Sequence, residues 1–280
     1  MKKEILSLHF AVMLFGLAGV IGKFVSLPAI LVTLGRVFFS ALFLLVIILF
    51  KRESIKLKRR DYLIITLAAI TMAVHWFTFL QSIQVATVAI GTITFATFPL
   101  FVTFLEPLIY HERLELKNVV IALLMLFGVI LTVPEFSLGN QMTVGIVIGM
   151  ISSFSYAVLC LFNRYLSSSY HGSVVCFYEQ MIATIVLLPA FFIVKSSISS
   201  IDLIAIIFMG IVCTAIAHTI YINSLKKVKV QTAGIISGME SIYSIIFAFI
   251  LLHETLNTKV LLGGLVILMT SLYASLKKDA

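Results

Sequence analysis

The chain has 280 residues, of which 61% are hydrophobic and only 11% are charged, and its mean hydropathy is +1.16. Soluble domains carry about 25% charged residues, so the polar surface is too small for a soluble enzyme, a disordered protein or a nucleic-acid-binding domain. The composition predicts an all-α integral membrane protein, in which the formal net charge of +8 reflects topology and contact with anionic headgroups.

Continuous apolar runs follow one another along the whole chain. Each run is 18 to 25 residues long, whereas a barrel strand needs only about ten. The first run continues through Gly16, Gly19 and Gly22 without a small-residue cleavage site, which favours a retained helix over a signal peptide. The runs predict ten transmembrane helices, at residues 5–22, 29–50, 62–82, 86–110, 116–133, 143–165, 172–194, 201–224, 229–252 and 258–276.

The positions of Lys and Arg predict the orientation. With the N-terminus inside, sixteen of the twenty fall in inner segments, one (Arg36) lies within the second run, and three (Lys23, Lys195 and Lys259) fall in outer segments. Positive residues concentrate on the cytoplasmic side of membrane proteins. We therefore expect a multi-pass protein of the cell (cytoplasmic) membrane with both termini in the cytoplasm.

The two halves of the chain resemble each other at an offset of 142 residues. At this offset, Phe79 to Leu131 lies over Tyr221 to Tyr273, and Glu112 at the end of the fourth run lies over Glu254 at the end of the ninth. Each half contains five of the predicted helices. Because five is an odd number, the second half enters the membrane from the opposite side. The sequence predicts two inverted five-helix repeats in one membrane domain, at residues 1–138 and 139–280.

The fourth and ninth runs carry the most specific pattern. The fourth reads TFATFPLFVTFLEPLIYHERL, with a proline at Pro99, and the ninth reads ISGMESIYSIIFAFILLHETL, closing with Glu254. Together with Lys23, Pro28 and Arg36 in the first half, they resemble the EamA-type members of the drug/metabolite transporter superfamily over the whole chain. The resemblance implies ten helices in two inverted repeats and transport of small metabolites, often amino acids or related solutes, outward.

Two positions depart from the usual pattern of that family. Ser241 stands where a proline matching Pro99 is common, and Glu240 stands at the position that matches Phe98. The resemblance also implies that this part of the two runs lines the central cavity.

Few charged residues lie well within a predicted span. Glu240 lies about 16 Å into the ninth run, near the midplane, where an isolated carboxylate is costly. We expect it to bind substrate or couple protons; the alternative is a neutral packing residue. Arg36 and Glu179 lie about 10 Å from opposite faces, too far along the membrane normal for simple contact. Each is predicted to gate its own half, or equally to pair locally with carbonyls and hydroxyls.

Aromatic residues and a histidine complete the candidate site. Aromatic walls suit amphipathic or cationic solutes, although any one ring is more often a packing residue. His75 could shuttle protons or hydrogen-bond between helices. The predicted substrate-binding residues are Glu240, Phe98, Phe95, His75, Trp76, Tyr156, Tyr178 and Tyr243, and the predicted coupling or gating residues are Glu240, Glu179 and Arg36.

Other small or reactive residues are interpreted structurally. Cys160, Cys176 and Cys213 are widely spaced in apolar runs and predict neither a metal site nor disulfides. Gly145 and Gly149 have the spacing that lets helices approach closely.

The function that fits best is a secondary transporter moving a small organic metabolite, an amino acid or amine-like solute, outward by alternating access. Its expected partners are the solute and the lipid bilayer, with proton coupling as a further hypothesis. The sequence has no P-loop, paired aspartates, GxSxG serine or HExxH motif, so neither a cofactor nor an enzyme activity is expected. The alternatives are a channel or a proton-coupled multidrug or cation exporter on the same scaffold, and an intramembrane enzyme.

Overall fold

The computed structural model describes residues 2–110, 116–132, 137–225 and 230–276, and all regular structure within these ranges is helical. Glu112, predicted to end the fourth span, lies outside the described residues. A π-helical segment, Ile211–Ile216, joins α9 to α10. The helices are α1 (Lys2–Phe24), α2 (Ala29–Lys51), α3 (Asp61–Val85), α4 (Val88–Phe95), α5 (Phe98–Tyr110), α6 (Leu116–Thr132), α7 (Gln141–Ser167), α8 (Gly172–Ile193), α9 (Ser200–Gly210), α10 (Ala217–Leu225), α11 (Val230–Leu252) and α12 (Thr258–Leu276).

Length and apolarity identify the helices that can cross a membrane. Among the described residues, seven helical segments are long and apolar enough, and shorter apolar stretches lie in α6, α11 and α12. Large apolar side chains cover the outside of the bundle; Phe50, for example, is 86% exposed. Such a surface suits lipid and not water. The chain is an all-helical, multi-pass membrane protein, and the number of ten spans stays a prediction.

Four helix pairs form the main contacts: α3 with α7, α1 with α11, α2 with α8, and α6 with α12. Glycines allow α7 to lie directly on α3 and α4. A Cβ atom at Gly145 would overlap that of Ala86, and one at Gly149 would lie 2.9 Å from Thr94. The Ser82 hydroxyl donates to the carbonyl oxygen of Gly145 at 2.6 Å across the same contact. The close approach predicted from the two glycines is therefore confirmed.

The fourth predicted span is two helices rather than one, because the chain turns between α4 and α5. Proline has no N–H group, so Pro99 leaves the carbonyl of Phe95 without its helical donor. The Ser153 hydroxyl on α7 donates to that carbonyl instead, at 3.2 Å. Thr97 closes the turn by donating from Oγ1 to the carbonyl oxygen of Thr94 at 2.6 Å. The break sets Phe95 and Phe98 on either side of a bend that faces α7.

The π-helical segment interrupts the eighth predicted span. The Thr214 hydroxyl donates to the carbonyl oxygen of Met209, five residues earlier, at 2.9 Å. A Cβ atom at Gly210 would lie 2.9 Å from the carbonyl oxygen of Arg36, so α2 approaches this segment closely. Single π-helical turns are frequent at functional sites. Here the segment presents Thr214 to the Arg36 side chain.

Candidate functional site

A cluster of rings lies where α3, α4, α5 and α7 meet. We call His75, Phe95, Phe98 and Tyr156 the aromatic cluster. The ring centroid of Tyr156 lies 4.9 Å from those of His75 and Phe95 and 5.0 Å from that of Phe98. Four of the predicted substrate-binding residues are therefore in contact, although they come from three different predicted spans.

Hydrogen bonds fix the His75 ring. Its Nδ1 lies 3.0 Å from the carbonyl oxygen of Ser152 on α7. The Ser152 hydroxyl lies 2.9 Å from the same nitrogen, so Nδ1 donates to the carbonyl oxygen in one ring tautomer and accepts from the hydroxyl in the other. The Ser152 hydroxyl in turn donates to the carbonyl oxygen of His75 at 3.2 Å. His75 thus makes the interhelical hydrogen bond that was one of its two predicted roles, and the proton-shuttle role stays a hypothesis.

Arg36 is held by two buried partners, Trp76 and Thr214. Its guanidinium carbon lies 4.1 Å from the centroid of the Trp76 ring, which is a cation–π contact. Its Nε donates to the hydroxyl oxygen of Thr214 at 3.1 Å. Arg36 is only 3% exposed. Of its two predicted roles, the local pairing with a hydroxyl is present, and the described residues include no ion pair between Arg36 and Glu179.

Glu240 on α11 adds a negative charge next to Arg36. Its side chain is 8% exposed and forms no hydrogen bond or ion pair with another described residue. The Arg36 guanidinium attracts its carboxylate, and the hydroxyls of Tyr156 and Tyr221 also lie within electrostatic range. Glu240 therefore lies within electrostatic range of one basic group, Arg36, and of Tyr156 at the edge of the aromatic cluster.

The chemistry of these side chains is complementary to a small solute of mixed character. A carboxylate accepts hydrogen bonds from an ammonium group, a guanidinium donates to a carboxylate, and aromatic rings take up apolar or cationic parts. Within the described part of the chain, no group of three or more His, Cys, Asp or Glu side chains is arranged to hold a metal ion.

Glu179 on α8 is the other buried acid. It is 0% exposed, and neither carboxylate oxygen has a hydrogen-bond partner among the described residues. The Asn163 side chain and the thiols of Cys160 and Cys176 lie within electrostatic range of it. It therefore lies in a different environment from Glu240.

Two of the predicted binding residues have partners away from the aromatic cluster. The Tyr178 hydroxyl donates to the carbonyl oxygen of Ile55 at 2.9 Å, in the segment between α2 and α3. The Tyr243 hydroxyl lies 2.9 Å from Nδ1 of His9, at the contact between α1 and α11. We therefore leave both tyrosines out of the proposed site.

Comparison with known proteins identifies the family. The sequence model of the EamA-like transporter family matches twice, at residues 2–133 and 143–276. The chain belongs to the EamA-like transporter family. An uncharacterized transporter of Archaeoglobus fulgidus is 28% identical over 196 residues, which are 70% of each chain. One of Clostridium kluyveri is 23% identical over 205 residues, which are 68% of this chain and 61% of the relative.

The fold is also found among solved structures. One, described only as a crystal structure of a protein, superposes with a TM-score of 0.70 at 14% identity and covers 98% of this chain and 96% of its own. At that identity the likeness concerns the fold alone. The family and the names of the relatives indicate a transporter.

In this EamA-family chain, sequence reasoning missed a polar clamp at the junction of α3 and α4. The Lys23 ammonium donates to the carbonyl oxygens of Ile83, Gln84 and Ala86 at 2.9, 3.0 and 2.7 Å. We call these contacts, together with those of Glu254 described next, the α3–α4 clamp.

Glu254 completes the α3–α4 clamp from the other side. Its carboxylate accepts from the backbone N–H groups of Val88 and Ala89 at 3.1 and 3.0 Å. Cations are favoured at helix C-termini and anions at N-termini, so each charge stabilises the helix end that it contacts. Glu254 was predicted only to end a helix. One feature of the sequence could have predicted this pairing. Glu254 and Lys23 have opposite charges, and both fall in outer segments of the predicted topology.

Proposed function

We propose that this EamA-family chain is a secondary transporter that moves a small organic solute with an amine group outward across the cell membrane by alternating access. The family membership supports transport, and the absence of a P-loop motif from the sequence favours a gradient over ATP as the energy source. The intramembrane-enzyme alternative has no support from the family or the relatives.

The proposed architecture is ten spans in two inverted repeats, residues 1–138 and 139–280, with both termini cytoplasmic. The two separate matches to the family model support this division. The packing supports it as well. At the offset of 142 residues α1 corresponds to α7, and α3 corresponds to α9, the π-helical segment and α10 together. The contact of α3 with α7 therefore has its counterpart in the contacts of α1 with α10 and the π-helical segment. In a transporter with inverted repeats, the two repeats can exchange conformations, so that the central site opens to one side of the membrane or to the other.

The observation that carries the proposed binding site is the position of Glu240. An acid buried among helices of both repeats, near Arg36 and beside the aromatic cluster, has few structural reasons to exist. Intramembrane charges are costly and mark substrate or ion pathways. We assign Glu240 to the amine of the solute, Arg36 to its carboxylate, and the aromatic cluster to its apolar part.

A multidrug or cation exporter is the second candidate, and Arg36 is the observation that separates the two. A lipophilic cation would be attracted by Glu240 and the rings but repelled by the neighbouring guanidinium. A zwitterion satisfies both charges. Arg36 therefore favours an amino-acid-like solute over a simple cation.

Thermal unfolding of the purified protein with matched ligands tests the proposal. The ligands are a set of L-amino acids, the amines that lack their carboxylate, the acids that lack their amine, and tetraphenylphosphonium as a lipophilic cation. A ligand that binds only the folded state raises the melting temperature. We expect larger shifts with at least one amino acid than with its two fragments. Shifts with tetraphenylphosphonium alone would support the exporter and contradict the proposal.

A further inference from the structure

The two buried acids of the bundle differ in what surrounds them. Glu240 lies within the electrostatic reach of Arg36 and keeps slight exposure. Glu179 is completely buried, and both of its carboxylate oxygens lack a hydrogen-bond donor among the described residues. An ionised carboxylate in such a place is strongly unfavourable unless it gains a partner.

Among the described residues, no positively charged side chain contributes to the electrostatic environment of Glu179. Helix α8 packs against α2, α3, α7 and α10. The charged or titratable side chains buried on α2, α3 and α10 include Arg36, His75 and His218. None of the three contributes to the electrostatic environment of Glu179.

The described groups within electrostatic range of Glu179 are neutral or become negative. From α7 these are the Asn163 side chain, which interacts with the carboxylate without completing a hydrogen bond, and the Cys160 thiol. From its own helix the Cys176 thiol contributes. None can neutralise an ionised carboxylate, so a proton is the partner that suits this position best.

Glu179 is also connected to the proposed solute site through one helix. Cys160 lies within electrostatic range of Glu179 and interacts with Tyr156, four residues earlier on α7. Tyr156 belongs to the aromatic cluster and interacts with Tyr221, whose hydroxyl lies 2.9 Å from that of Ser237 on α11. A movement of α7 that accompanies solute binding would change the surroundings of Glu179 as well.

We propose that Glu179, and not Glu240, carries the coupling proton of this transporter. The inference rests on the proposed function, because coupling requires a transported solute. A carboxylate oxygen of Glu179 takes up a proton from the outside in one access state and releases it to the cytoplasm in the other, while the solute moves outward. Glu240 stays with the solute.

Infrared difference spectroscopy tests proton binding without any solute. The pH is stepped over the reconstituted protein, and the carboxylic-acid C=O band is followed for wild type, Glu179→Gln and Glu240→Gln. We expect a buried carboxylic-acid band that titrates in wild type and in Glu240→Gln and is lost in Glu179→Gln. A band that survives in Glu179→Gln, or no such band in wild type, would overturn the inference.

Transport in proteoliposomes tests the coupling. The probe is a mixture of labelled L-amino acids, measured as counterflow at equal pH and as accumulation driven by a pH gradient. We expect Glu179→Gln to keep counterflow and to reduce the accumulation driven by the pH gradient at least tenfold. Gln180→Leu is the matched control, since Gln180 is adjacent, equally buried and also without partners; it should keep both activities. Glu179→Asp keeps a carboxyl group that can bind a proton, so it distinguishes loss of the proton site from an effect on packing.

The outcomes separate the inference from the proposed function. Driven accumulation by Glu179→Gln at the wild-type level would overturn the coupling role. Wild-type protein that moves none of the amino acids would instead count against the proposed function, while the infrared titration would still decide whether Glu179 carries a proton.

Discussion

Lys23 and Glu254 hold the two sides of the α3–α4 junction, at 2.7 Å from the carbonyl oxygen of Ala86 and 3.0 Å from the backbone nitrogen of Ala89. They come from the first and last thirds of the sequence, and the charge of Glu254 also acts on Lys23. The α3–α4 clamp therefore joins α1 and the end of α11 to one helix junction.

Removing either charge should weaken this junction. Hydrogen bonds to charged groups contribute about 1.5–3 kcal/mol each, so Lys23→Met and Glu254→Gln are each expected to lower the melting temperature by several degrees. Because the two side chains act on one junction, the double variant should lose less than the sum of the two single losses. Differential scanning fluorimetry in detergent measures all four proteins, and strictly additive losses would show that the two residues act independently.

The hydrogen bond between Arg36 and Thr214 should determine how the guanidinium is held. Thr214→Val removes the acceptor at similar volume and leaves the buried Nε–H without its partner, which costs about 1–3 kcal/mol. Thr214→Ser keeps the hydroxyl and serves as the control. We expect weaker ligand binding in Thr214→Val and near wild-type binding in Thr214→Ser, as measured by ligand-induced thermal shift. Equal binding by both variants would remove Thr214 from the site.

Trp76 is the single tryptophan of the chain, so its fluorescence reports directly on the proposed site. A solute that binds Arg36 should disturb the cation–π contact and change the emission intensity or wavelength. Arg36→Leu should abolish the ligand-dependent change and shift the emission of the free protein. A ligand that stabilises the protein without altering Trp76 emission would bind elsewhere.

Gly145 should not accept even one methyl group. A Cβ atom there overlaps that of Ala86, and overpacking of this kind costs about 1–3 kcal/mol. Gly139→Ala is the control, because its Cβ atom would meet only the Ser137 hydroxyl oxygen at 3.4 Å. Thermal unfolding should show a lower melting temperature for Gly145→Ala and little change for Gly139→Ala. A wild-type melting temperature for Gly145→Ala would mean that α7 and α3 are less closely packed.

Hydropathy predicted an all-helical membrane protein because lipid solvation acts on the sequence directly. The break at Thr97 was not predicted, because it depends on a residue of another helix. The Ser153 hydroxyl on α7 donates to the carbonyl oxygen of Phe95. The π-helical segment likewise depends on the hydroxyl of Thr214 and on the approach of α2 to Gly210.

The candidate site was predicted only in part, because depth along a span gives no rotation about the helix axis. Tyr178 and Glu179 are adjacent in sequence, yet Tyr178 contacts the segment before α3 and Glu179 faces α7. Similarly, depth along the spans gave no reason to associate Arg36 with Glu240.

Solute counterflow by Glu240→Gln decides whether the buried carboxylate binds the transported solute. Proteoliposomes loaded with an unlabelled L-amino-acid mixture are given the labelled mixture outside, at equal pH on both sides so that proton coupling does not limit the exchange. Glu53→Gln is the control; Glu53 follows α2 in the sequence, and its carboxylate accepts a hydrogen bond from the Ser173 hydroxyl in the first turn of α8. We expect exchange by wild type and Glu53→Gln, and at least a tenfold loss in Glu240→Gln with an unchanged elution profile. Exchange at the wild-type rate by Glu240→Gln would show that the solute binds without this carboxylate.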